Sequence, residues 1–128
     1  EKLPSVLNYS KRIVLFMPEG EYHEIGLLYV HFLLKQRGFY VDYLGTNVPM
    51  IDLKYLSEFH KVDYLYCHLT SPAKNFKIHK FFDQLSEVSK IIPIVISGQL
   101  AQAYKGQIAG NIQLKRTLAE TISFLESI

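Results

Sequence analysis

Cysteine is nearly missing from this chain: Cys67 is the single one in 128 residues. No disulfide can close within it, and a lone thiol fits a reducing, cytoplasmic setting. An excess of one charge is missing too. The formal net charge is +2, too balanced for a nucleic-acid or membrane surface. No apolar run reaches the roughly 18 residues of a membrane span, and the first residues do not read as a signal peptide. There is no Gly-x-Gly-x-x-Gly and no Walker loop, so nucleotide binding has no motif behind it. Internal repeats and low-complexity segments are also absent.

What the chain does have is material for a core. It is 48% hydrophobic and 13% aromatic, and at this length a chain buries about two-thirds of its unfolded surface. It reads as one domain over residues 1–128, with 1–11 as a linker remnant. Because it begins at Glu1, not Met, it is expected to be a C-terminal piece of a larger protein. Residues 12–17 (Arg-Ile-Val-Leu-Phe-Met) form a short, β-branched, apolar run, the pattern of a strand buried on both faces. Helix periodicity follows over 24–37, closed by Gly38. Apolar residues cover more than one face of this helix, so it is expected to be buried on two sides, by the sheet and by another element or chain. A second strand is expected over 40–44, ended by Gly45, and Pro49 opens a helix running to about 59. A third strand covers 62–68, and Asn75 can cap a helix reaching about 89. A fourth strand (94–97), a short helix (99–104), a fifth strand (111–114) and a last helix (118–127) capped by Thr117 complete the chain.

Five β-α alternations predict an α/β fold: a flavodoxin-like (Rossmann-type) three-layer sandwich around a five-stranded parallel sheet, order 2-1-3-4-5. Such sheets bind ligands at the carboxyl ends of strands flanking the switch point, here strands 1 and 3. The loops meeting there are 18–24 and 68–75. His23 lies in the first, within Glu21-Tyr22-His23-Glu24-Ile25-Gly26. A neutral imidazole at that edge can bind a metal or a metal-bearing cofactor, and Glu21 can hold its other nitrogen. A helix N-terminus just beyond His23 disfavours the imidazolium form. The plainer reading makes His23 a loop or capping residue, and Glu21 and Glu24 charges that suit a first helical turn.

Cys67 reads as a small buried residue. His68 points to the opposite strand face, which argues against a Cys-His dyad and leaves His68 able to face the crevice. His31, His60 and His79 lack the i, i+4 pairing of a zinc site. A phospho-acceptor receiver domain has the same fold but needs clustered Asp at its strand ends. Here those ends read Phe16-Met17-Pro18 and Tyr66-Cys67-His68.

The Glu21–Gly26 motif, with the passage from Leu33 to Pro49 that continues it, resembles the cobalamin-binding domains of methionine synthase, base-off mutases and MerR-type regulators. Those domains carry Asp/Glu-x-His-x-x-Gly after their first strand. Glu in place of Asp and the compact C-terminal end most resemble the MerR-type regulators. The resemblance implies His23 as the lower ligand of cobalt, Glu21 as its orienting partner, and Gly26 as the point of close approach for the corrin or its nucleotide tail. It implies a tail slot lined by a Ser-x-Leu, matched here by Cys67 and Leu69, and by a Gly-Gly, matched by Ser97 and Gly98. It further implies adenosyl- or methylcobalamin as cofactor, a homo-oligomer, no catalysis by the domain itself, and DNA contact only through a separate N-terminal segment. Three alternatives stand beside this reading: a cobalamin-carrying subunit of a mutase or methyltransferase, a regulator domain that has lost the vitamin through Cys67 and Ser97, and a flavodoxin-like interaction module without a ligand.

Overall fold

A computed structural model describes residues 11–72, 74–108 and 110–128. The expected linker, apart from Lys11, lies outside the described residues. In chain order the elements are β1 (Arg12–Pro18), α1 (Ile25–Gln36), β2 (Tyr40–Val48), α2 (Met50–Phe59), β3 (Tyr64–His68), α3 (Ile78–Val88), β4 (Ile94–Ser97), α4 (Gln99–Ala103), β5 (Ile112–Leu114) and α5 (Leu118–Ser127). The sheet is parallel throughout, in the order β2-β1-β3-β4-β5. This is the flavodoxin-like arrangement expected from the alternation.

Strand pleating divides the interior in two. Ile13, Leu15, Met17, Tyr66 and Val95 point to one face, where Leu27, Val30 and Leu34 of α1 and Phe124 and Leu125 of α5 cover them. Their neighbours Val14, Phe16, Leu65, Cys67 and Ile96 point to the other, against Leu53 of α2, Phe81 and Leu85 of α3 and Ala101 of α4. Side chains alternating with period two explain why central strands apolar at every position need helices on both sides.

Several boundaries differ from expectation for local reasons. β2 continues past Gly45 to Val48. Its pairing with β1 shifts register twice, and Gly45 (φ +82°) and Asn47 (φ +57°) adopt left-handed backbone there. Gly45 is thus a bulge glycine, not a terminator. Pro49 precedes the first helical residue of α2 as its N-cap. Asn75 does not cap α3, because that helix starts at Ile78 with Lys77 at the N-cap. β3 starts at Tyr64, two residues late. Thr117 caps α5 as expected, its hydroxyl accepting from the Glu120 N–H at 3.1 Å. Gly38 (φ +83°) closes α1 in a Schellman turn, Phe39 N–H to Leu34 O at 3.2 Å and Gly38 N–H to Lys35 O at 3.0 Å. Among the described residues α1 is covered on one side only: Ile25 is 85% exposed and Phe32 57%.

Phe16 sits in the middle strand of the β2-β1-β3 group and is fully buried. Phe16→Ala is expected to lower stability by about 3–5 kcal/mol, read from urea unfolding. A loss under about 1 kcal/mol would contradict the packing described.

Candidate functional site

The site is built at the carboxyl edge of β1, β3 and β4. After β1 the chain turns sharply, with Glu21 N–H bonded to Pro18 O at 3.1 Å. Gly20 (φ +88°) makes the turn possible, and its N–H reaches the Asn47 side chain at 3.2 Å. The turn drives the Glu21 side chain inward, where it is 0% exposed. A buried carboxylate needs partners. Glu21 Oε1 accepts from the Thr70 N–H at 2.6 Å and from its hydroxyl at 3.4 Å. Oε2 accepts from His23 Nδ1 at 3.0 Å and from the His23 N–H at 3.4 Å. Burial works to raise the carboxyl pKa, but the bonds from His23 and Thr70 outweigh it and the net direction is down.

The consequence falls on His23. A carboxylate only accepts, so Nδ1 carries the proton of the neutral ring and Nε2 keeps a free lone pair. The ring is 62% exposed and lines an open cleft of about 640 Å³ together with Tyr22, Gly26, Thr70, Ser71 and Gln99. Among the described residues, no group of three or more His, Cys, Asp or Glu is placed to hold a metal ion. A single oriented imidazole suits a metal that brings most of its ligands with it. Glu24 plays a different part. It is the N-cap of α1, and its carboxylate accepts from the Tyr43 hydroxyl.

Gly26 also borders a second cavity of about 380 Å³, between the sheet edge, α1 and α5. Ser97, Gly98, Arg116 and Thr121 line it, and so does His68. His68 Nδ1 lies 2.8 Å from Ser97 Oγ, which accepts from the Tyr66 hydroxyl at 2.7 Å. Burial lowers the His68 pKa against the opposing pull of Glu21. It pushes Tyr66 up to about 12. Gly98 must be glycine. Its φ is +104°, and a Cβ there would sit 2.2 Å from Leu69 O.

The structure therefore brings His23, Glu21, Gly26, Ser97 and Gly98 to one edge, and corrects two expectations. Cys67 does not line the cavity. It is fully buried in the core under α2 and α3, where burial first and Glu21 second push its thiol pKa well up. Leu69 is buried in the same core and meets the site only through its backbone at Gly98. The pleat that sends Cys67 away turns Tyr66 and His68 toward the cavity. Three contributors were not identified from sequence: Thr70, Tyr66 and Thr121. Strand alternation alone could have found Tyr66.

No protein-family model matches the chain, and no curated protein matches it. Solved structures do. A cobalamin-binding protein from Desulfitobacterium hafniense DCB-2 aligns over 91% of this chain with TM-score 0.62 and 16% identity. The monomethylamine corrinoid protein of Methanosarcina barkeri aligns over 94% with TM-score 0.64 and 19% identity. The receiver domain of NtrC4 from Aquifex aeolicus aligns over 91% with TM-score 0.56 and 14% identity. The chain spans 58% and 60% of the two corrinoid-related chains and 92% of the receiver. At these identities the likeness is one of fold, the flavodoxin-like fold that all three share with this chain.

A carboxyl whose folded pKa is lowered stabilises the fold above its unfolded value, about 4.3, and the contribution disappears as pH falls through the folded value. Wild-type protein is therefore expected to lose stability between about pH 5 and 3 more steeply than Glu21→Gln. Urea midpoints across that range test this. Parallel curves for the two proteins would show that Glu21 is not the buried ionised group described.

Proposed function

We propose that this chain is the cobalamin-binding sensory domain of a MerR-type transcription regulator, with His23 as the protein's ligand to cobalt. The observation that carries the reading is the fully buried Glu21 carboxylate holding an exposed imidazole by one nitrogen and leaving the other bare at the switch-point edge. Metal-binding histidines are oriented in this way by carboxylates. The likeness to two corrinoid-related structures supports the same ligand class. If bound, a cobalamin would supply a redox-active cobalt with an exchangeable ligand; this chain would supply the His23 imidazole, its tautomer and the cleft.

In this reading the domain carries out no catalysis. Ligation changes how copies assemble, and with it DNA binding by a separate winged-helix segment, in a cytoplasmic regulator. Such control requires the ligand to favour one assembly state over another. Among the described residues nothing covers an apolar stripe of α1 formed by Ile25, Leu28, Tyr29 and Phe32, which supports a partner surface of the same or another chain. Among the described residues no helix is long and apolar enough to cross a membrane.

A second reading, a corrinoid-carrying subunit of a methyltransferase or mutase, draws its support from the monomethylamine corrinoid protein, whose fold matches 94% of this chain. Coding sequence ahead of residue 1 separates the two. A winged-helix segment there favours the regulator; a helical segment alone, beside a gene for a barrel-type partner, favours the subunit.

The cofactor itself is tested by mixing the protein with hydroxo-, methyl- and adenosylcobalamin, desalting, and recording the visible spectrum. Colour is expected to be retained, and His23→Ala is expected to abolish the spectral change that marks imidazole ligation. Glu21→Gln is expected to weaken binding about 10- to 100-fold, the usual effect of removing a carboxylate behind a metal-binding histidine. No retained colour, with or without the upstream segment, would defeat the cofactor claim and leave a flavodoxin-like domain kept for protein interaction.

A further inference from the structure

Gly26 leaves an open space only if nothing else fills it, and here His68 does. A Cβ built on Gly26 would fall 2.2 Å from His68 Nε2, 2.5 Å from Cδ2 and 2.7 Å from Cε1. The imidazole therefore lies flat against the glycine backbone, at the junction between the His23 cleft and the 380 Å³ cavity, since Gly26 borders both. The ring is anchored. Its Nδ1 is bonded to Ser97 Oγ, and Ser97 is held in turn by Tyr66, whose ring is fully buried and packs against Phe124. His68 is the last residue of β3 and pairs directly with Ser97 of β4, so backbone register keeps the two side chains adjacent.

We propose that His68 makes the site discriminate by tail: its ring, pinned by Ser97 against Gly26, closes the passage from the cleft to the inner cavity, so the chain favours corrinoids without a nucleotide tail over those that carry one. This rests on the corrinoid reading of His23. A tail-less corrinoid needs only the open cleft and the His23 lone pair. A tailed one that seats its base in the inner cavity must also move the His68 ring off Gly26 and break its bond to Ser97. Losing one such hydrogen bond costs about tenfold in affinity. Gly26 and His68 act together: the glycine accommodates the ring, and a side chain at 26 would displace it.

The test compares cobinamide, which lacks the nucleotide tail, with hydroxocobalamin by spectral titration of the wild type, His68→Gly and Ser97→Ala. The wild type is expected to bind cobinamide at least as tightly as hydroxocobalamin. His68→Gly is expected to improve hydroxocobalamin binding about tenfold relative to cobinamide, leaving cobinamide affinity within about twofold. Ser97→Ala keeps the ring but frees it, and is expected to shift the same ratio in the same direction by a smaller factor; it carries the test if His68→Gly does not fold. A wild type that prefers hydroxocobalamin tenfold or more, or a ratio that neither variant moves, overturns the proposal. His23-dependent binding of both corrinoids with an unmoved ratio overturns it alone, whereas failure of every protein to bind either corrinoid overturns the corrinoid reading as well.

Discussion

The buried carboxylate of Glu21 is the constraint on which the site depends. A charge removed from water must be compensated where it sits, and Glu21 is compensated by groups from two loops: His23 from the first β-α connection and Thr70 from the third. Those are the connections that part at the switch point between β1 and β3. One side chain thus ties the two lips of the crevice together and sets the proton on His23 Nδ1. The exposed ring owes its orientation to the carboxylate beneath it, and the carboxylate owes its burial to the turn at Gly20.

The same edge shows how pleating sorts chemistry. Cys67 and His68 are adjacent in sequence, yet one is sealed in the core beneath α2 and α3 and the other faces the cavity beneath α1 and α5. The thiol is held protonated by burial and has no route to the site. The imidazole, bonded to Ser97, which accepts in turn from Tyr66, lies against Gly26 and lines the inner cavity. The oriented His23 imidazole and the His68 ring packed on Gly26 are separate features of one edge.

The fold was largely legible because each signal had one dominant physical cause. Apolar β-branched runs at 12–17 and 94–97 can only be doubly covered strands, and Thr117 before an apolar helix can satisfy a free N–H. Misreadings came where two causes compete. Gly45 can end a strand or bulge it, and pairing with β1, which no local pattern encodes, chose the bulge. Asn75 can cap a helix or sit in the loop before one. The site was half legible. Glu21, His23 and Gly26 stand in one motif, but Thr70 contributes chiefly a backbone N–H, which carries no residue signature. Strand alternation already read Cys67 as a small buried residue, as found, while the slot lining that the resemblance implied for it is not seen.

In the proposed reading a nitrogen of His23 would be the protein's ligand to cobalt. Electron paramagnetic resonance of the cobalt(II) complex reads that bond directly, because an axial nitrogen splits the cobalt lines by its nuclear spin. With ordinary protein a triplet splitting is expected, and protein labelled with nitrogen-15 only at histidine is expected to convert it to a doublet that His23→Ala removes. A triplet that survives the label would place the corrinoid's own base on the metal and contradict the account.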